Sequence, residues 1–351
     1  MVKIRVLPSE IVSKIAAGEV IERPASVLKE LLENSLDANS SAVEITVENA
    51  GKTLIRLRDN GSGIAEQDLD FICNRHATSK ISKLEDLYEI ASLGFRGEAL
   101  YSISAVSDLT LTSKTQNQDS GWQIHVRAGE RLSRKPFTMR TGTDIEVKEL
   151  FFNTPARKKF LKSNTVEFNR MLDLFIPYTI LYPRISFKLS HDKRTIVDLA
   201  QAKDLKDRVA EVLHVQKDNL IDDNRDYAEM ELSIRLVLGD INIKRTRKDM
   251  QFIFINNRPV DNRTISFHLN DIYRQLLPPK IHPLFCVFIN MPAGHLDVNV
   301  HPTKREVKIK DESSLIAALR NFSEQLLMTR SKAQQPKNLF ITPEASTTKP
   351  S

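Results

Sequence analysis

Apolar residues along this chain change their period several times, and each change marks an element. Over about residues 8–38 they recur at helical spacing, with a break near Gly18 and a restart near Pro24, a favoured first helical residue. Val27, Leu28, Leu31 and Leu32 form the apolar stripe of the second piece. The period then falls to two. Val43, Ile45 and Val47 alternate with polar residues, and Ile55 and Leu57 repeat the pattern beyond Gly51, which predicts two strands joined by a turn. A helical stretch is expected at residues 66–73, a polar loop over about 75–97, and a helix opening near Gly97 and Glu98. Strands are expected at 109–113, 123–127 and 143–147. A second region begins near Leu205 with a helix at 206–213. It continues with strands at 230–238, 252–255 and 285–289 and closes with a long helix at 313–329. From Ser331 the chain is rich in Lys, Pro, Ser and Thr and poor in large apolar residues, the composition of a linker or tail. The pattern reads as an α/β (α+β) chain with domains at 1–204 and 205–331 and a disordered tail at 332–351.

Composition narrows the class. The 351 residues are 41% hydrophobic and 27% charged, a globular balance. No apolar run approaches the roughly 18 residues of a membrane span. The opening Met1-Val2-Lys3-Ile4-Arg5 lacks the apolar core of a signal peptide. Cys73 and Cys286 match no metal-ligand spacing and suit a reducing, intracellular setting, cytoplasmic for a bacterial chain and nuclear for a eukaryotic one. The net charge of +6 and pI of about 9.1 are compatible with a polyanionic partner. Basic clusters occur at Arg157-Lys158-Lys159, at Lys244-Arg245-Thr246-Arg247-Lys248 and around Lys304-Arg305.

Four groups of residues can carry chemistry. Glu30 and Asn34, four apart, share the polar face of the helix after Pro24. A carboxylate there can act as a general base and an amide oxygen can ligate Mg²⁺, although a solvated helix face has the same pattern. Asp59-Asn60-Gly61-Ser62-Gly63 follows a strand end, where Asp59 can accept from an exocyclic amino group; a plain polar turn has the same composition. Gly94-Phe95-Arg96-Gly97-Glu98-Ala99-Leu100 offers backbone N–H groups at a helix start, a setting for phosphate oxygens. It is neither a P-loop nor a Rossmann fingerprint. Thr78-Ser79-Lys80 supplies hydroxyls and a cation just before it, and Gly142-Thr143 heads a strand from which the hydroxyl can support Asp59.

Taken in order, these groups resemble the ATPase superfamily shared by gyrase, the ninety-kilodalton heat-shock chaperone, sensor histidine kinases and MutL. Longer strings are similar to the MutL family of DNA mismatch-repair proteins in particular. They are Ile15-Ala16-Ala17-Gly18-Glu19-Val20, Glu33-Asn34-Ser35-Leu36-Asp37-Ala38, Arg75-His76-Ala77-Thr78-Ser79-Lys80-Ile81, Phe152-Asn153-Thr154-Pro155-Ala156-Arg157 and Asp297-Val298-Asn299-Val300-His301-Pro302-Thr303-Lys304. Together they cover roughly residues 1–330.

The resemblance implies a two-layer ATP-binding sandwich followed by a smaller α/β domain of the ribosomal-protein-like type. It implies ATP and Mg²⁺ as cofactors and slow ATP hydrolysis. Glu30 would be the catalytic base, Asn34 the Mg²⁺ ligand and Asp59 the reader of adenine, with Gly63 beside the base and Thr143 supporting that edge. Thr78, Ser79, Lys80 and Gly94, Phe95, Arg96, Gly97, Glu98, Ala99 and Leu100 would wrap the triphosphate. Lys304 would reach the γ-phosphate from the second domain. Arg258 and Arg263 would meet DNA phosphates without sequence choice. ATP-driven dimerisation would form a DNA clamp that couples a mismatch sensor to a nicking endonuclease and a helicase. Asp144 departs from the family, in which a second Thr commonly follows Gly142-Thr143. The alternatives are an ATP-gated DNA-binding scaffold with negligible turnover and the ATPase half of a type II topoisomerase.

Overall fold

The computed structural model describes residues 20–75, 77, 97–297 and 308–334. The chain divides into two compact units. One reaches to Lys217 and includes Asn257–Pro259; the other takes in Asp218–Asn256 and the residues from Val260 onward. The division therefore falls later than the end of the first domain expected at residue 204.

The first unit is built on one eight-stranded sheet. Its elements, in chain order, are α1 (Pro24–Asp37), β1 (Ala42–Glu48), β2 (Leu54–Asp59), α2 (Ala99–Ala105), β3 (Asp108–Lys114), β4 (Gly121–Arg127), β5 (Glu130–Phe137), β6 (Gly142–Lys148), α3 (Pro155–Phe160), α4 (Asn164–Leu181), β7 (Ser186–His191), β8 (Arg194–Leu199) and α5 (Leu205–Val212). The strand order is β5-β4-β3-β6-β2-β1-β7-β8. Neighbours run antiparallel except β1 and β7, which are parallel, with Val43 opposite Phe187 and Ile45 opposite Leu189.

Period-two burial explains the layering. Val43, Ile45, Val47, Ile55 and Leu57 face α1 and α4, whose Val27, Leu28, Leu31, Leu32, Phe168, Met171 and Phe175 close the same core. Each such side chain contributes roughly 1.5–3 kcal/mol on burial. Glu44, Arg56, Arg58, Asp144 and Glu146 alternate onto the opposite face. There Asp144 accepts from Arg56 Nε at 2.9 Å and from Arg58 Nη2 at 3.0 Å. Burial pushes the Asp144 carboxyl up, but the two guanidiniums outweigh it and hold it below its ordinary value.

The expected helix at 66–73 is a 3-10 turn over Glu66–Asp68 followed by further turns. Its hydrogen bonds run three residues back, Phe71 N to Asp68 O at 3.0 Å and Asn74 N to Phe71 O at 2.8 Å, so no α-helical ladder forms. Helix α5 belongs to the first unit through Arg208, which is fully buried. Its Nη2 donates at 2.8 Å to the carbonyls of Pro183, Ile185 and Ala200.

The elements from Leu220 onward are β9 (Leu220–Tyr227), β10 (Leu232–Gly239), β11 (Gln251–Ile255), β12 (Arg258–Val260), α6 (Arg263–Arg274), β13 (Phe285–Asn290), β14 (Leu296–Asp297), β15 (Lys308–Ile309) and α7 (Glu312–Gln334). Five of these strands form a sheet in the order β12-β11-β13-β10-β9, while β14 and β15 pair with each other. Ile234, Leu236, Phe285, Val287 and Ile289 pack under Ile265, Leu269, Leu319 and Phe322 of the two helices. Asn256 and Asn257, at φ 47° and 59°, make the left-handed turn that a two-residue hairpin requires. No described helix is long and apolar enough to cross a membrane.

Candidate functional site

Helix α1 opens with Pro24 at its first turn, so the missing N–H costs nothing there. Its apolar stripe is buried, which leaves Glu30 and Asn34 half-buried on another face. Ser35 comes next and is 3% exposed. Its hydroxyl donates to Asp59 Oδ2 at 2.8 Å, and the Gly61 N–H donates to Asp59 Oδ1 at 2.9 Å. Asp59 ends β2 opposite Thr143 of β6 and is 8% exposed. Burial pushes its carboxyl above the ordinary value, partly offset by those two donors and by the Thr143 backbone. With three donors on about four acceptor positions, this carboxylate can accept one further hydrogen bond from a ligand amino group.

The glycines around Asp59 are required by close backbone approach. Gly63 has φ +71°, and a Cβ on it would stand 2.1 Å from the Lys114 carbonyl oxygen. Gly142 has φ +130°, and a Cβ there would stand 2.1 Å from the Asp59 carbonyl oxygen. Ser62 N donates to Ala38 O at 3.0 Å, which ties the loop to the end of α1.

Thr143 supports this edge differently from the expectation. Its hydroxyl lies 3.1 Å from Ser113 Oγ, while its backbone is what acts on Asp59. Ser113 Oγ also accepts from Ile64 N at 2.8 Å and donates to Gly142 O at 3.0 Å. The start of α2 is present as well. Gly97 takes φ +60°, Glu98 O accepts from Ser102 N at 2.9 Å, and Glu98 Oε1 accepts from Arg75 Nε at 3.2 Å. Ala99 and Leu100 begin the helix proper, and Leu100 packs on the core. Thr78, Ser79, Lys80, Gly94, Phe95, Arg96 and Lys304 lie outside the described residues.

Glu30, Asn34, Asp59, Gly63, Thr143 and Gly97–Leu100 thus all belong to the first unit. Pattern reasoning missed Ser35, Ser113 and Glu33. The signal for Ser35 was its place one residue past Asn34, facing the strand end; Ser113 and Glu33 carried none. Glu33 is 3% exposed and accepts from Lys29 Nζ at 2.9 Å and from the Tyr178 hydroxyl at 2.5 Å.

An amide oxygen at Asn34 suits Mg²⁺, which takes one or two protein oxygens and completes its shell with water and phosphate. The described residues contain no group of three or more His, Cys, Asp or Glu able to cage a metal. Burial pushes the Cys73 thiol up to about 11, so it is not a thiolate at neutral pH. A cavity of about 700 Å³ lies on the opposite face of the sheet, around Arg56, Arg58 and Asp144. Asp59 and Asn60 line it as well, whereas Glu30 and Asn34 do not.

On the five-stranded sheet, Arg258 opens β12 and is half-buried. Arg263 is the exposed first residue of α6, directly after Asn262, whose Oδ1 caps the helix by accepting from Ile265 N at 2.8 Å.

Residues 21–150 match the family model described as histidine kinase-, DNA gyrase B-, and HSP90-like ATPase. Residues 212–328 match the DNA mismatch repair protein, C-terminal domain. A DNA mismatch repair protein MutL of Haemophilus influenzae (strain PittEE) is 41% identical over 312 residues, which are 88% of this chain and 50% of that protein. The MutL of Thermodesulfovibrio yellowstonii is 40% identical over 311 residues, 89% of this chain and 56% of its own length. The chain thus spans about half the length of these relatives. Among solved structures, the Aquifex aeolicus MutL ATPase domain complexed with ADP is 31% identical. Its TM-score is 0.60, over 78% of this chain and 93% of that one. The N terminal domain of a DNA repair protein matches with TM-score 0.77 and 26% identity, over 92% of this chain and 99% of that one.

Proposed function

This chain belongs to the MutL family of DNA mismatch repair proteins, and we propose that it binds ATP with Mg²⁺ and slowly hydrolyses it to ADP and phosphate. The observation that carries the reading is the buried Asp59, held by Ser35 and Gly61 at the foot of the helix that bears Glu30 and Asn34. A relative solved with ADP supports a nucleotide as the occupant.

Asp59 accepts from the exocyclic amino group of adenine, with Gly63 beside the base and Thr143 steadying that edge. Asn34 would hold Mg²⁺ through its amide oxygen, and the ion would supply neutralisation of the charge that develops on the phosphates. Glu30 takes the proton of the water that attacks the γ-phosphorus. The backbone at Gly97, Glu98, Ala99 and Leu100, with Thr78, Ser79, Lys80, Gly94, Phe95 and Arg96, wraps the triphosphate. Lys304, from the second domain, answers the γ-phosphate charge.

For the whole protein the same reading assigns ATP-driven dimerisation and a DNA clamp. In the cytoplasm that clamp couples a mismatch sensor to a nicking endonuclease and a helicase. Arg258 and Arg263 meet DNA phosphates.

Sedimentation of the chain with and without a non-hydrolysable ATP analogue tests binding and dimerisation together. Phosphate release from Glu30→Ala tests turnover. Analogue-dependent dimers, with phosphate release lost in Glu30→Ala, are the expected result. No dimer and no binding would reject the reading. Binding with turnover unchanged in Glu30→Ala would reject the base assignment.

A further inference from the structure

Glu30 shares its helix with a second carboxylate and a cation that reaches both. Lys29 Nζ stands 2.9 Å from Glu33 Oε2 and 3.5 Å from Glu30 Oε1. Glu33 is the buried member, its side chain 5% exposed, while Glu30 retains 25%. An ionised carboxylate held that far from water is costly unless its oxygens are satisfied. Here Oε2 takes the ammonium, and Oε1 takes the Tyr178 hydroxyl of α4 at 2.5 Å. Glu33 is therefore fixed from two sides.

The charge states agree with that geometry. Burial pushes the Lys29 ammonium down, but Glu33 and then Glu30 outweigh it, so Lys29 stays cationic. Burial and the Glu33 charge raise the Tyr178 hydroxyl well above its ordinary value, so it stays a donor.

We infer that Lys29, Glu33 and Tyr178 form a positioning relay for Glu30: Tyr178 orients Glu33, Glu33 orients Lys29, and Lys29 holds the Glu30 carboxylate in one rotamer. The inference rests on the reading of Glu30 as the base. A glutamate on a half-exposed helix face has three freely turning side-chain torsions. A general base must stand within hydrogen-bond reach of its water, and a displacement of about 1 Å costs on the order of 100-fold in rate. An ordinary i,i+4 pair between Lys29 and Glu33 would serve helix stability alone. What distinguishes this arrangement is that the same ammonium also reaches Glu30, while a residue from another helix fixes the far end.

The test is steady-state phosphate release by the whole chain, paired with affinity for a non-hydrolysable ATP analogue. The variants are Lys29→Met, Lys29→Arg, Tyr178→Phe and Glu30→Gln. Lys29→Met is expected to lower kcat by roughly 10-fold or more while analogue affinity stays within about twofold. Lys29→Arg is expected to recover most of that loss. Tyr178→Phe keeps the packed ring and removes only the donor, with an expected kcat loss of about threefold. Added to Lys29→Met it should cost nothing more, because the relay is already broken. If Lys29→Met fails to fold, Tyr178→Phe carries the test by itself: a fall in kcat at unchanged affinity supports the relay, and wild-type kcat overturns it. Wild-type kcat in Lys29→Met, with turnover abolished in Glu30→Gln, overturns the relay and leaves the base standing. Losses that add in the double variant overturn it too. Turnover surviving in Glu30→Gln removes the base, and the relay with it.

Discussion

The Ser35 hydroxyl donates to Asp59 Oδ2 at 2.8 Å, joining the last turn of α1 to the last residue of β2 through a bond that solvent barely reaches. A polar bond in that position acts on the fold and on the ligand at once. Ser35→Ala leaves one oxygen of a buried carboxylate without its donor, at an expected cost of about 1–3 kcal/mol. Urea denaturation reads that cost, and titration with an ATP analogue reads a parallel loss of affinity. Unchanged stability would mean that Asp59 finds another donor.

Asp59 itself should behave in the opposite way. Burial raises its folded pKa above the unfolded 3.8, against the lowering by Gly61, Ser35 and the Thr143 backbone. A carboxyl raised on folding contributes stability that is complete below the unfolded value and is lost as pH rises through the folded one. At pH 7 the ionised side chain is thus a net burden on the fold. Asp59→Asn, isosteric and uncharged, should hold or raise Tm at pH 7 while abolishing analogue binding. A Tm well below that of the parent would show that the carboxylate contributes to folding as well as to recognition.

Gly63→Ala should fail for a steric reason. At φ +71° an added Cβ would stand 2.1 Å from the Lys114 carbonyl oxygen, and neither backbone can yield without moving β3. We expect a loss of about 2 kcal/mol or more, seen as a lower denaturation midpoint with unchanged slope. A variant as stable as the parent would show that the loop has room to shift.

Arg263 is exposed at the first residue of α6, which suits an encounter with phosphate. Arg263→Glu should weaken DNA binding on every sequence alike. The slope of log K against log salt should fall by roughly one for each phosphate that is no longer neutralised. A parent-like slope would take Arg263 out of the interface.

Much of this architecture was legible because burial on one face imposes a period. Val43, Ile45 and Val47 announced β1, and Val27, Leu28, Leu31 and Leu32 announced the buried stripe of α1. Elements that bury little or bury all round gave no such rhythm. Strand β5 is exposed along almost its whole length. Helix α4 is apolar on several faces and carries Pro177 inside it, which hides a helix from pattern reasoning. At the site, Asp59 and the flanking glycines stood out by residue type, because few roles other than a turn or a ligand site need that composition. Ser35, Ser113 and Glu33 did not. They are common residues whose importance comes from partners distant in sequence, Asp59, Thr143 and Tyr178, and no local period reports such pairings.

The parallel join between β1 and β7 sets a timetable for synthesis. As the chain leaves the ribosome, β1 can pair at once with β2, but its other edge waits for Ser186–His191. The core face of the sheet waits for Phe168, Met171 and Phe175. A nascent chain ending near residue 150 already contains Glu30, Asn34, Asp59, Gly63 and Thr143, yet it presents an open apolar edge and half a core. Such an intermediate is a candidate for chaperone capture. The shortest fragment able to fold around these residues should extend past Leu199 to α5, where Arg208 fastens the carbonyls of Pro183, Ile185 and Ala200.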